Sequence, residues 1–332
     1  MPVTHPLGST SHMVTRMGLG LAALGRPGYI NLGHADDLGG DYRVDVLQKR
    51  AHQILDVAYE RGIRYFDAAR SYGRAEAFLG TWLDSRGHSP DDVCIGSKWG
   101  YTYTAQWQVT AEKHEVKEHS LRVLDRQWAQ SRERLGAFLD LYQIHSATFE
   151  SGVLEHAPVL NRLAELKQEG IAIGLTVSGA RQAEIIRRSL EIVVDGVPLF
   201  DSVQATWNIL ERSAGPVLVE AHQRGVGVMI KEALANGRLT LRNTSPDFQA
   251  RLNVLKREAG RLSGTVDALA LAAVLAQPWV DVVLSGAAVV DHLTSNLEAF
   301  SIAWDSEAEA ALEPLMENAE RYWTIRSELA WN

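Results

Sequence analysis

RYFDAARSYGRAEAFLG, from Arg64 to Gly80, joins an apolar run to a helical pattern through a turn that carries two reactive side chains. Ile63 to Phe66 reads as a buried strand and delivers Asp67 at its C-terminal end, where barrels and open α/β sheets place their chemistry. Tyr72 and Gly73 form the turn, and Ala75, Phe78, Leu79 and Trp82 are the apolar positions of the helix that follows. A Tyr beside a Gly is by itself ordinary turn packing. Two further strands change its weight: Val93 to Ser97 ends in Lys98, and Phe138 to Ile144 ends in His145. Each strand thus presents one polar group at its C-terminal end. Taken singly, Lys98 reads as a charge reaching solvent and His145 as a satisfied core histidine; their conjunction in this order points to a site.

Strand–helix alternation extends in both directions. Short β-rich runs near Met17, Arg64–Asp67, Val93–Lys98, Leu139–His145, Ile171–Val177, Ser202–Gln204, Gly227–Ile230 and Asp281–Leu284 make eight. Between them lie helical patterns near Val44–Gly62, Arg74–Arg86, Glu118–Leu135, Val159–Glu169, Ala180–Leu190, Gly215–Arg224 and Val266–Ala276. The expected fold is therefore α/β, a (β/α)8 TIM barrel, with an extra C-terminal helical segment over Ser306–Trp331. A doubly wound sheet is the alternative, but no GxGxxG opens a helix after the first strand. Residues 1–13, MPVTHPLGSTSHM, read as a disordered leader or an expression-vector remnant, and residues 14–332 as one domain. Pro27 to Tyr42, rich in Gly and Asp, reads as an extended loop over the barrel mouth, with Gly20, Leu21 and Tyr29 as pocket candidates.

Composition narrows the function. The 332 residues are 46% hydrophobic and 22% charged, ordinary for a globular chain long enough to bury a full core. The formal charge of −8 offers no basic face for nucleic acid, and no apolar run is long enough to span a membrane. The lone Cys94 permits no internal disulfide, which suits a reducing cytoplasm. The 11 His residues show no HxH or HExxH spacing, so no metal is expected; His114 and His119 are one residue too far apart to share a metal from one helix face. The expected partners are small molecules, and the expected state is a monomer or weak homo-oligomer.

FDAARSYG, the strand ending in Lys98 and LDLYQIH together resemble the aldo-keto reductase superfamily, as do VQATWNILER, RGVGVMI and SGA…SNLEAF further on. The resemblance spans roughly Thr15 to Phe300. It implies an (α/β)8 barrel that binds a nicotinamide cofactor and reduces carbonyls or oxidises alcohols, with Asp67, Tyr72, Lys98 and His145 as catalytic tetrad. It also implies cofactor contacts from Thr176 or Ser178, and from Gln204 to the carboxamide, with Trp207 where a stacking Tyr is usual. In the segment after the seventh strand, Ala233, Leu234, Asn236 and Gly237 would clasp the pyrophosphate, with charge from Lys231 or Arg238. Ser285, Gly286, Ala287 and Asn296 would cradle the adenosine end. Ala288 and His292 stand where a Lys or Arg often grips a 2′-phosphate, so NADP, favoured on family frequency, competes with NAD. The aromatic loop after Lys98 suggests a substrate wall from Trp99, Tyr101 and Tyr103 together with Tyr29.

The chemistry of the residues agrees with those roles. Hydride arriving at a carbonyl carbon leaves an alkoxide that needs a proton donor within hydrogen-bond reach. A nearby ammonium stabilises a phenolate, so Lys98 is expected to tune Tyr72, and Asp67 to hold Lys98 charged and in place. His145 is expected to hydrogen-bond the substrate oxygen. The competing readings are a cofactor-binding regulatory subunit of the same fold, resembling potassium-channel β subunits and nearly inactive in turnover, and a metal-dependent barrel hydrolase.

Overall fold

A computed structural model describes residues 3–332. Eight parallel strands close into a barrel in sequence order. They are β1 (Met17–Gly20), β2 (Tyr65–Asp67), β3 (Cys94–Trp99), β4 (Leu139–Ala147), β5 (Ala172–Val177), β6 (Ser202–Thr206), β7 (Gly227–Lys231) and β8 (Val282–Ser285). All eight match the expected runs, and the fold is the (β/α)8 barrel. The strands are buried on both faces, which is why they read as apolar runs rather than as alternating patterns.

The helices follow the apolar periodicity. Val44–Glu60 buries Leu47, Ala51, Ile54, Leu55 and Ala58 against the barrel. Ser120 caps Leu121–Leu135 and Thr265 caps Val266–Leu275, each hydroxyl accepting a first-turn N–H at 3.3 and 3.2 Å. Val266–Leu275 is apolar nearly all round because a second cluster, including Leu252, Leu312, Tyr322 and Trp323, covers it from outside.

Three expectations change. Residues 4–15 are ordered rather than a loose leader: Thr4–Pro6 pairs antiparallel with Met13–Thr15 beneath the barrel. Leu7 and Val14 are fully buried there beside Tyr65, Leu141, Met229 and Val282. Alternation of apolar and polar residues was too short over these strands to register. Residues 1 and 2 of that segment lie outside the described residues. The C-terminal segment is two α-helices, Ser306–Leu312 and Ala319–Ser327, separated by a 3-10 turn at Pro314. The Pro27–Tyr42 loop contains a short helix, His34–Leu38. Among the described residues no helix is long and apolar enough to cross a membrane.

Two glycines let the first loop close on the Tyr72 turn. Gly73 has φ 59°, and a Cβ there would lie 2.4 Å from the Gly25 carbonyl oxygen. A Cβ on Gly25 would lie 2.1 Å from the Tyr72 carbonyl oxygen. Arg74 N–H donates to the Gly25 carbonyl at 2.7 Å across that contact.

Candidate active site

The C-terminal ends of the strands open into one cavity of about 570 Å³, lined by Asp67, Tyr72, His145 and residues of several loops. Lys98, fully buried, lies directly behind Tyr72, its ammonium 4.8 Å from the ring centroid. It donates to Asp67 Oδ2 and, at 2.9 Å, to the Ala68 carbonyl. Asp67 Oδ1 accepts from Tyr65 Oη at 3.2 Å, Gln143 Nε2 at 3.3 Å and Gln204 Nε2 at 3.1 Å. The carboxylate is thus gripped by three strands besides its own, and it fixes the ammonium.

His145 sits beside a bulge: Ser146 has φ 52° and the pairing of β4 with β5 shifts register between Ile144 and Ala147. Ser146 N–H donates to Thr176 Oγ1 at 2.8 Å, which holds the bulge and aims the imidazole into the mouth. His145 Nδ1 faces Ser71 Oγ at 3.4 Å, and the ring packs edge-on to Tyr72 at 5.4 Å. Burial, reinforced by Lys98, Arg26 and Lys231, holds the imidazole well below its usual pKa, so it is neutral near pH 7. Burial and then the Asp67 charge push the Tyr72 phenol well above 10, with Arg26 the principal opposing influence. Lys98 is not among the principal influences on this phenol, although its ammonium lies 4.8 Å from the ring centroid. Burial also lowers the Lys98 pKa, against the support of Asp67.

Most residues expected at the cofactor line the same cavity: Thr176, Ser178, Gln204, Lys231, Ala233, Leu234, Asn236, Gly237, Ser285, Gly286, Ala287, His292 and Asn296. Asn296 Nδ2 donates to Ser285 Oγ at 2.8 Å, locking the turn after β8. A Cβ on Gly286 would meet nothing within 4 Å, so this turn leaves a concave backbone surface open. Asn236 Oδ1 is buried without a partner at the opposite wall.

Trp207 and Arg238 do not reach the cavity. Gln204 and Thr206 face the barrel interior, and strand alternation turns Trp207 outward, where it packs edge-on to Trp279 at 5.5 Å and under Arg212. Arg238 is buried in the outer cluster, paired with Glu317 at 2.7 Å. Lys231 shares the register of Thr206 and points inward, to Thr206 Oγ1 at 3.0 Å and Ser178 Oγ at 3.2 Å, rather than along the segment after β7. Burial brings its pKa down to about 8. His292 is engaged by Arg242 at 3.1 Å, and Arg242 in turn by Asp37.

On the substrate side Tyr29 and Tyr101 line the cavity, and Tyr101 lies 4.9 Å from His145. Trp99 is fully buried against His119, facing outward from β3, and Tyr103 faces a neighbouring cleft with Arg126 and Gln127; neither belongs to the wall. The aromatic loop is an antiparallel ribbon, Tyr101–Tyr103 with Glu115–Lys117. Of the first-loop candidates Gly20 lines the cavity and Leu21 is core. Sequence reasoning missed Arg26, Glu115, Lys117 and Glu232, all at the cavity; the tail, which could cap the outer wall or reach the mouth, brings Trp331 to the mouth. Arg26 and Glu232 lie outside regular elements, and Glu115 and Lys117 on a strand of three residues, too short for its alternation to register. His114 stacks on Trp331 at 3.8 Å while His119 Nε2 donates to the His145 carbonyl at 3.0 Å, so the two do not converge on a metal. Among the described residues one three-ligand grouping exists, His12, Cys94 and Asp140, at the opposite end of the barrel.

Residues 17–317 match the model of the Aldo/keto reductase family. "Aldo-keto reductase str7" of Strobilurus tenacellus is 26% identical over 329 residues, covering 91% of this chain and 88% of that protein. The "NADH-specific methylglyoxal reductase" of Escherichia coli is 27% identical over 337 residues, covering 92% and 96%. Among solved structures, an aldo-keto reductase from Bacillus halodurans in its holo form superposes with TM-score 0.73 at 22% identity, over 96% of this chain and 98% of that one, a likeness of fold.

Proposed function

Because this chain belongs to the aldo/keto reductase family, we propose that it is a nicotinamide-dependent carbonyl reductase acting on an aldehyde or ketone, with Tyr72, Lys98, Asp67 and His145 as its catalytic group. The observation that carries this reading is the meeting of Tyr72 and His145 at one cavity wall, with the buried Lys98–Asp67 pair directly behind the phenol. Bound nicotinamide nucleotide would supply the hydride. Ser178, Gln204, Asn236, Gly237, Ser285 to Ala287 and Asn296 are the residues that would hold it; the open face at Gly286 and the unpartnered Asn236 Oδ1 suit a long polar ligand.

The substrate oxygen would sit between Tyr72 Oη and the His145 imidazole, whose Nδ1 is the nitrogen that faces Ser71 Oγ. Neutral His145 donates to that oxygen and orients the carbonyl. As negative charge develops there, Tyr72 gives its proton; a phenol is acidic enough to protonate an alkoxide outright even with a raised pKa. The Lys98 ammonium under the ring stabilises the phenolate that forms, and Asp67 keeps the ammonium from moving toward it.

At the adenosine end the preference is for NAD over NADP. Ala288 supplies no cation, Arg242 is neutralised by Asp37, and Asp267 adds a carboxylate to that part of the cavity. Titrating NADH and NADPH by fluorescence against wild type and Tyr72→Phe tests the whole reading. Saturable quenching in both proteins, with NADH tighter and turnover of a test aldehyde lowered about 100- to 10,000-fold in Tyr72→Phe, is the expected result. Full turnover in Tyr72→Phe sinks the assignment of the proton donor, and quenching without turnover in wild type returns the regulatory-subunit reading.

A further inference from the structure

We propose that the carbonyl substrate carries an anionic group, a carboxylate or a phosphate, which Lys117 holds with Arg26 beside it. The inference rests on the reductase reading of the same cavity and names the class of compound it takes.

Accounting for the cations at the mouth singles out Lys117. Arg326 pairs with Glu232 at 2.7 Å, Arg242 with Asp37, Lys98 with Asp67 and Arg26 with Glu115 at 3.1 Å. Lys231 is satisfied by two hydroxyls and lies 3.9 Å from Glu232. Lys117 pairs with no carboxylate among the described residues; its ammonium donates to Thr148 Oγ1 at 3.2 Å and nothing else. Holding an ammonium half-buried without a counter-charge is unfavourable unless something arrives to meet it. Burial lowers its pKa accordingly, with the exposed Glu150 the opposing influence.

The ribbon fixes where this charge points. Glu115 and Lys117 alternate with Val116, which is exposed, so both side chains turn inward over the mouth. Lys117 Nζ lies 5.8 Å from the Tyr101 ring centroid, and that ring lies 4.9 Å from His145. The Tyr101 ring thus has Lys117 on one side and His145 on another, and all three line the cavity that Tyr72 lines.

Arg26 supplies the second, independent observation. It is 3% exposed, and its guanidinium is boxed by Tyr29, Tyr72 and Trp331 at 5.0, 5.2 and 4.8 Å. It donates to the Ser71 carbonyl at 3.2 Å and to Glu115, while Nε has no partner at all. Glu115 cancels the Arg26 charge, so the net positive charge of this wall is that of Lys117, and Arg26 contributes a fixed free N–H. A wholly apolar aldehyde would cover both groups and satisfy neither, which a site of this kind penalises strongly.

The test compares anionic and neutral aldehydes of matched size on purified protein. Succinate semialdehyde is expected to exceed butanal about ten-fold or more in kcat/KM, mainly through KM, as loss of one charge-assisted hydrogen bond would dictate. Glyceraldehyde phosphate against glyceraldehyde separates a phosphate preference from a carboxylate preference. Lys117→Met should abolish the ratio, Lys117→Arg should retain most of it, and Lys113→Met, on an exposed part of the same loop, should leave it intact. Succinate without nucleotide should raise the Tm of wild type and not of Lys117→Met. Equal kcat/KM for anionic and neutral partners, or a ratio that survives in Lys117→Met, overturns the inference while leaving the reductase reading standing. A succinate shift in wild type alone, with no turnover of any aldehyde, leaves the anion site standing and overturns the reductase reading instead. Neither turnover nor shift overturns both.

Discussion

Changing Asp67 to Asn removes one charge from a site where every neighbour is a donor. Lys98, Tyr65, Gln143 and Gln204 all point hydrogens at this carboxylate. Asn offers one acceptor oxygen, so either the ammonium or the Oδ1 trio must face an NH2 group. Lys98 is fully buried, and an uncompensated buried charge costs about 3–5 kcal/mol. The lysine escapes by losing its proton, which converts the penalty into a pKa lowered further in the folded state. A base with a depressed folded pKa leaves the unfolded chain binding more protons, so stability rises with pH until the unfolded lysine titrates near 10.4. The Asp67→Asn deficit should therefore be about 3 kcal/mol or more near pH 7 and should shrink by about 1.4 kcal/mol per pH unit as pH rises through that window. Urea denaturation at about pH 7 and about pH 9 measures it. The double variant Asp67→Asn/Lys98→Met removes the orphaned charge and should recover at least half the loss. An Asp67→Asn protein as stable as wild type near pH 7, or a double variant no better than the single, would refute the claim that the carboxylate exists to hold that ammonium.

Gly25→Ala puts a methyl 2.1 Å from the Tyr72 carbonyl oxygen and 2.6 Å from Ala75 Cβ, so the turn must shift. Overpacking costs about 1–3 kcal/mol, and single-turnover hydride transfer should slow while nucleotide quenching is kept. Glu76, 2% exposed, accepts from Ser97 and Ser131 hydroxyls at 2.6 Å each and pairs with Arg70. Glu76→Ala should cost about 3 kcal/mol by urea denaturation, whereas Glu76→Gln, retaining one acceptor, should cost visibly less. Asp140 has its pKa raised to about 7 by burial. The folded state then binds the extra proton, and this group lowers stability as pH rises from about 4 to about 7. Asp140→Asn should accordingly raise Tm more at about pH 8 than at about pH 5, the reverse of what the neighbouring His12, whose pKa burial lowers, contributes.

The barrel was legible because each of its strands is a short apolar run between helix patterns, and because Asp67, Lys98 and His145 lie at or near strand ends, where register alone fixes direction. Gln204 and Thr176 were legible for the same reason. Trp207 was misplaced by one step of the same alternation: the motif position suggested stacking, but a residue next to an inward Thr206 must face the helices. Lys231 erred in the other direction, inward where a strap position was expected. Arg26 and Lys117 were invisible, and the seat of Trp331 was left open between the outer wall and the mouth, for a different reason. They approach the mouth from the first loop, a ribbon and the C-terminal tail, and their convergence depends on contacts such as the paired backbone hydrogen bonds between Asn332 and Tyr29, 3.0 Å in both directions, which no local pattern encodes.

This division has a mechanical consequence. Asp67 is tied to strands β3, β4 and β6, so whatever disturbs it disturbs the barrel, and loss of chemistry should always appear together with loss of stability. Lys117 sits on a two-stranded ribbon outside the barrel sheet, contacting Thr148 and the face of Tyr101, so its removal should alter which aldehyde is taken with little change in unfolding. Arg26 falls between: its box includes Tyr72 and the tail residue Trp331, so it couples a loop-borne wall to the Tyr72 ring. A substrate anion drawn toward the free Nε would pull on the guanidinium that rests against the phenol, so the same contact that selects the ligand also bears on the geometry of proton transfer.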